Sequence, residues 1–271
     1  MQEAKIPLLS VVMGVLYRRD NLFLLRRSVD SILAQSFRDF ELLICDDGSS
    51  AEAAGLLEKY AAEDRRVRLI REGKLSRLPE KLNRCISEAR GSFIARMDDD
   101  DFSHSERFER QLSALEQDTS CAFVGCNVRL WRDGMVVGLR QLPMRPEVRD
   151  FLFVQPFVHP AMIFRAEALS AVGNYCTEDR CELCEDYDLL LRLYARGYRG
   201  MNLQEALLDY TCPQNPHGNR RMRHRWNETV TRYVRFRELR LLPRALPYVV
   251  KPLAVGIIPA PLLRMMKEAA R

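Results

Sequence analysis

The apolar residues of this chain change period several times, and each change marks an element. Leu8 to Val15 is an unbroken apolar run, which predicts a strand buried on both faces, and Leu22, Leu25, Val29, Ile32 and Leu33 then recur at helical spacing. Phe40 to Cys45 predicts a second strand, the turn Asp46-Asp47-Gly48-Ser49-Ser50 closes it, and a helix follows from Ala51 to Glu63. Val67 to Arg71 predicts a short third strand. A helix from Pro79 to about Ala89 follows, ended by Gly91, and then a fourth strand, Phe93 to Met97. Ser105 is placed to cap a helix whose inner face carries Phe108, Leu112 and Leu115. Strand and helix alternating in this order imply a mostly parallel sheet covered by helices on both faces, with ligands bound beyond the carboxyl ends of its strands.

After Cys121 the rhythm becomes mixed. Cys121 to Trp131 and Met135 to Leu142, separated by Arg132-Asp133-Gly134, predict a hairpin. Phe157 to Phe164 predicts a strand interrupted at His159-Pro160, Glu185 to Arg196 a helix ended by Gly197, and Leu207 to Cys212 another strand. Asn219 to Leu242 reads as a basic helix. Ala245 to Leu263 is almost wholly apolar, but four prolines and Lys251 disfavour a straight spanning helix and favour a segment lying in a membrane interface.

Composition is that of an ordinary folded protein, which excludes disorder. Charge adds more: the chain carries +5 in all, yet residues 213–271 hold 13 Lys/Arg against three acidic residues, so the preceding part is net acidic. A basic tail on an acidic body implies an anionic partner surface, nucleic acid or lipid. Met1 to Lys5 is polar and no cleavage site follows, so a cytoplasmic location is expected. Most of the eight cysteines suit a reduced core. Cys176, Cys181 and Cys184 with Cys212 are the one group that offers a thiolate zinc site, against free thiols on a loop.

Chemistry is concentrated in three acidic groups. Asp98-Asp99-Asp100-Asp101 directly follow the fourth strand, where packing four like charges together is costly unless a cation or hydrogen-bond donors offset it. Asp46-Asp47 close the second strand, a position that also suits a plain turn and helix cap. Glu185-Asp186 open a helix, where acids favour the helix dipole whatever else they do.

Taken in order, LLSVVMGV, SILAQSFRDFELLICDDGSS, EARGSFIARMDDDDFSHSERFERQL, VHPAMIFR and CEDYDLLLRLYARG resemble the family 2 nucleotide-sugar glycosyltransferases of GT-A fold, from Ile6 to about Cys212. The resemblance implies a Rossmann-like GT-A domain over residues 1–215, its nucleotide-binding half 1–103 and its acceptor half 104–215. Residues 216–271 are then a basic and apolar membrane-associating region. Asp46 with Asp47 would meet the nucleobase, and Val15, Tyr17, Asp98 and Asp99 the nucleotide or sugar. A basic residue among Arg71, Lys74, Arg77 and Lys81 would reach the nucleotide, with Arg77 and Lys81 the chosen candidates. Asp100 and Asp98 would bind Mn²⁺ or Mg²⁺ with Asp101 beside them and His217 near the metal, although Asp99 stands where the family's DXD motif often has a small residue. Asp186, ahead of Glu185, would be the general base of an inverting transfer, and His159-Pro160 would lie under the acceptor side.

The expected donor is a nucleoside diphosphate sugar, a UDP-sugar foremost. The acceptor would be a glycan or lipid-linked molecule of cell-surface polysaccharide synthesis, met on the cytoplasmic face of the inner membrane by a peripheral or monotopic enzyme, with no nucleic acid involved. Two alternatives stand beside this. A nucleotidyltransferase would need a glycine-rich phosphate loop that residues 14–19 do not form, and a nucleotide- or lipid-binding adaptor with a degenerate transferase domain would have no use for the acids.

Overall fold

A computed structural model describes residues 6–19, 21–71, 77–212 and 222–258. In chain order the first half is β1 (Leu9–Val15), α1 (Phe23–Leu33), β2 (Phe40–Asp46), α2 (Ala51–Glu63), β3 (Val67–Ile70), α3 (Leu78–Glu88) and β4 (Phe93–Arg96). The second half is β5 (Phe102–Ser103), α4 (Arg107–Gln117), β6 (Cys121–Arg132), β7 (Met135–Arg140), β8 (Ile163–Arg165), α5 (Ala166–Ala171), α6 (Glu185–Ala195), β9 (Arg199–Thr211), α7 (Met222–Glu238) and α8 (Leu246–Ile257).

One sheet runs β3-β2-β1-β4-β8-β6-β9-β5, with β7 paired to the outer edge of β6. β3, β2, β1 and β4 are mutually parallel, whereas β8 is antiparallel to both β4 and β6. The connections from β1 run first to β2 and β3 on one side and then back across to β4 on the other. This reversal opens a crevice beyond the carboxyl ends of β1 and β4. The apolar run of β1 divides by parity between two cores, as a strand buried on both faces must. Leu9, Val11, Met13 and Val15 pack with Leu25, Val29, Leu57 and Phe108, while Val12 packs on the opposite face with Leu82, Cys85, Leu190 and Phe236.

Local signals mostly hold. Ser50 caps α2 by accepting from the Ala53 N–H at 3.3 Å, and Glu80 accepts from the Arg77 N–H at 2.8 Å at the start of α3, beside Pro79. Ser105 does not cap α4, whose first turn instead follows a bond from the Arg107 N–H to the His104 carbonyl. The reason lies just upstream, where Phe102 and Ser103 are drawn into pairing with Asp209 and Leu208 of β9.

The strand expected over Phe157 to Phe164 is shortened to β8, because Pro160 has no N–H for a ladder and residues His159–Ala161 form a 3₁₀ turn. Cys176 and Cys181 form a disulfide rather than free thiols or zinc ligands, and the buried Cys184 contacts the Thr231 hydroxyl at 3.5 Å. Cys212 points its thiol at the Tyr210 carbonyl, so the four cysteines do not assemble into a zinc site. In the tail, α7 and α8 pack on the second core through Phe236, Ala245 and Val249. α8 is twelve residues long with Pro252 inside it, and among the described residues no helix is long and apolar enough to cross a membrane.

Candidate active site

The loops leaving β1 and β2 are stitched together at the crevice. The Tyr17 N–H donates to the Ser49 hydroxyl and its carbonyl accepts from the Ser50 N–H, both at 2.8 Å. Asp46, the last residue of β2, is buried and accepts from the Ser49 hydroxyl at 2.5 Å, with the Arg71 guanidinium 3.7 Å away. Turn capping and a polar floor for a base are therefore compatible uses of the same carboxylate. Asp47 is also buried and receives the Cys45 thiol at 3.8 Å. Lys74 and His217 lie outside the described residues.

Beyond β4 the four aspartates turn away from the sheet. Asp98 is ion-paired with the fully buried Arg96 and its carbonyl accepts from Ser28 at 2.7 Å. Asp100 pairs with Arg19 at 2.7 Å. Asp101 has no exposed surface; one carboxylate oxygen accepts from the Thr211 N–H at 2.7 Å, and the other has no hydrogen-bond partner among the described residues. The Thr211 hydroxyl also donates to the Asp100 carbonyl at 2.5 Å, so the end of β9 holds the turn in place.

Carboxylate oxygens of Asp98, Asp100 and Asp101 lie within 4.8 Å of one another. Burial first, and then the charges of Asp100 and Asp98, push Asp99 up to about 7, and burial likewise holds Asp101 well above the ordinary carboxylate range. An orphaned buried oxygen on Asp101, among hard oxygen ligands crowded together, is what a divalent cation would relieve, so these residues fit such an ion.

This turn lines an open cleft of about 850 Å³ with Tyr17, Arg19, Trp131, Tyr210 and Thr211. A second cleft, of about 680 Å³, adjoins it, with Asp98 and Tyr210 lining both. Asp186 stands in the second cleft, at the mouth of α6, where its carboxylate accepts from Gln155 at 3.0 Å and from the Tyr187 N–H at 2.7 Å. His159 shares that cleft, buried and bonded to the Tyr175 hydroxyl at 2.7 Å, with burial keeping it neutral.

The neighbouring acid faces elsewhere. Glu185 lines a smaller cavity of about 390 Å³ with Gly14, Leu16, Arg77 and Lys81, and burial followed by repulsion from Asp186 pushes it up to about 7. Lys81 is buried and donates to the Val15 carbonyl, while Arg77 binds Glu80 and reaches Asp179 at 2.9 Å. The structure thus gathers Tyr17, Asp98, Asp99, Asp100 and Asp186 around two joined clefts, and groups Val15, Arg77, Lys81 and Glu185 behind them.

Sequence reasoning passed over Arg19, Gln155, Tyr210 and Thr211, which carry no motif and reach the clefts only through the fold. Arg96 did carry a signal, since a charge inside an apolar strand needs a partner, and Asp98 is that partner.

Residues 11–171 match the profile of Glycosyl transferase family 2, more than half of the chain. The chain belongs to that family. As a family 2 glycosyltransferase it is 34% identical over 255 residues to the putative glycosyltransferase EpsE of Bacillus subtilis, an alignment that covers 94% of this chain and 91% of EpsE. It is 33% identical over 210 residues to the O-antigen biosynthesis glycosyltransferase WbnJ of Escherichia coli, covering 76% and 80% of the two chains. Among solved structures, S. aureus TarS 1-349 in complex with UDP-GlcNAc superposes with a TM-score of 0.70 at 17% identity, over 90% of this chain and 72% of TarS. The fold is accordingly GT-A, and the protein is a nucleotide-sugar glycosyltransferase. Enzymes of this family commonly use a divalent metal.

Proposed function

We propose that this glycosyltransferase moves a sugar from a UDP-sugar to a hydroxyl of a glycan or lipid-linked acceptor, with inversion, in the synthesis of a cell-surface polysaccharide. The observation that carries the proposal is the junction of the two clefts at Asp98 and Tyr210, with the aspartate turn on one side and Asp186 on the other. Donor and acceptor can then meet with the leaving group and the base on opposite sides of the reacting carbon. Relatives such as WbnJ, named for O-antigen biosynthesis, are in keeping with the polysaccharide assignment.

In this mechanism the acceptor hydroxyl oxygen attacks the anomeric carbon as that carbon's bond to the diphosphate oxygen breaks. The hydroxyl proton passes to Asp186, and the nucleoside diphosphate departs with the bonding pair. Gln155 and the Tyr187 N–H hold the Asp186 carboxylate in position. Asp98, Asp100 and Asp101 would hold Mn²⁺ or Mg²⁺, which when bound neutralises charge on the leaving diphosphate. Asp46 and Asp47, beside Arg71, are assigned to the nucleobase, and Tyr17 and Asp99 to the nucleotide. Asp186 is preferred to Glu185 as base because it faces the second cleft and Glu185 does not. The basic α7 and apolar α8 would set the enzyme on the cytoplasmic face of a membrane.

Incubation with a panel of nucleotide sugars and Mn²⁺ or Mg²⁺ should release nucleoside diphosphate from one of them. In an acceptor extract, Asp186→Ala should lower transfer by about 10² to 10⁴-fold. Transfer that survives both Asp186→Ala and Asp100→Ala would overturn the site assignment.

A further inference from the structure

The second cleft carries more positive charge than its acids balance. Its lining includes Arg96, Arg140, Arg225, Arg232 and Lys251 against Asp98, Asp186 and Glu228. Arg96 is engaged with Asp98, and Arg232 with Glu228 at 3.0 Å. Arg140 is different: it is half-buried as the last residue of β7, and its one side-chain hydrogen bond among the described residues runs from its guanidinium to the Gln155 carbonyl at 3.1 Å. A guanidinium has five N–H donors, so that bond leaves most of them for something else. Arg225, half-buried on the inner face of α7 opposite Gly256 of α8, makes no side-chain hydrogen bond or ion pair with any described residue. Lys251 stands near them, its ammonium on the Phe153 carbonyl at 2.6 Å and 5.0 Å from the centre of the Phe153 ring.

Arg140 feels the charge of Asp186 across the cleft, but neither Arg140 nor Arg225 forms an ion pair with a carboxylate of the described residues, and guanidiniums so placed are costly unless an anion completes them. The anion is not the donor diphosphate, because the donor cleft lies across Asp98 and Tyr210 from these residues. Gln155 joins the two features directly, since its carbonyl accepts from Arg140 while its side-chain amide donates to Asp186.

We propose that this cleft holds a phosphoryl group of the acceptor between Arg140 and Arg225, with Lys251 at the mouth, while the acceptor hydroxyl reaches Asp186. The proposal rests on the assignment of the Asp186 cleft to the acceptor and names the acceptor's class, a phosphate or diphosphate ester. Phe153, Val154 and Leu183, all lining the cleft and about half or more exposed, give an alkyl chain on that phosphate an apolar path outward.

Binding of decyl diphosphate, inorganic pyrophosphate and decanol to the full chain, in EDTA so that no metal recruits phosphate to the aspartate turn, tests this by calorimetry. Decyl diphosphate should bind at least tenfold tighter than decanol, and Arg140→Gln and Arg225→Gln should each weaken it by about tenfold. Thermal melting of each variant reports its folding, and Arg225, which makes no side-chain hydrogen bond or ion pair with any described residue, supplies a variant that breaks no such bond. Decyl diphosphate binding tighter than pyrophosphate assigns the group to a lipid-like ester, and equal binding that the variants weaken assigns it to a phosphate without a lipid. Affinities unchanged in both variants would overturn the subsite. UDP-sugar hydrolysis by the unaltered protein with Mn²⁺, measured in parallel, separates the two levels: hydrolysis without phosphate binding sinks the subsite alone, and binding without hydrolysis sinks the transferase assignment.

Discussion

Glu185 and Asp186 are adjacent acids that the fold puts to different uses. Asp186 meets the second cleft with two donors on its carboxylate, whereas Glu185 turns into the smaller cavity beside Lys81 and keeps one oxygen without a partner among the described residues. Its carboxyl rises from an ordinary 4.5 to about 7, chiefly through burial and then through Asp186. A carboxyl whose folded value is raised binds more protons folded than unfolded between those two values, so the stability it lends is complete below about 4.5 and is lost as pH climbs through about 7. Glu185→Gln should remove that contribution. Urea denaturation at pH 5 and at pH 8 should show the variant gaining on the wild type at the higher pH, and no difference in pH response would contradict the buried placement. The two acids look equivalent in sequence, because neighbours on a helix point about 100° apart and only the packing around α6 says which direction is open.

At the scale of elements, α6 is the joint between the transferase sheet and the tail. Asp188, without exposed surface, pairs with Arg192 one turn along and with Arg235 of α7, both at 2.7 Å, and lies 3.8 Å from Arg180. Asp188→Ala would leave those guanidiniums facing one another in the interior and should cost about 3–5 kcal/mol, measured as a lower urea midpoint. The element sequence itself was readable: α2 runs from Ala51 to Glu63, as expected behind the turn that closes β2, and the hairpin of β6 and β7 turns at Asp133-Gly134. Failures of reading came where long-range pairing outweighed local preference. Ser105 lost its cap because β5 is claimed by β9, and Pro160 cut a strand into a turn. The contribution of Thr211 could not be read at all, since its partners Asp100 and Asp101 lie about a hundred residues earlier and only strand pairing brings them together.

For the whole molecule, the asymmetry of charge acquires a direction. α7 and α8 form one wall of the second cleft, and Trp226, Val250 and Ile257 of the same two helices are exposed. A membrane contact through this face would bring the cleft to the lipid surface. The full chain should therefore sediment with vesicles containing anionic lipid at about 0.05 M salt and be released near 0.5 M, where screening shortens to a few ångströms. Sedimentation equally strong with neutral vesicles, or insensitive to salt, would argue against an electrostatic contact.

By itself the sequence determined the alternating elements, the burial of β1 on both faces and the family's acidic turns, because these follow from periods and motifs spanning a few residues. Tertiary structure decided which acids share a cleft, which cysteines pair, and that the tail walls the cleft of Asp186. Those outcomes depend on contacts between distant segments, whose direction no local pattern encodes.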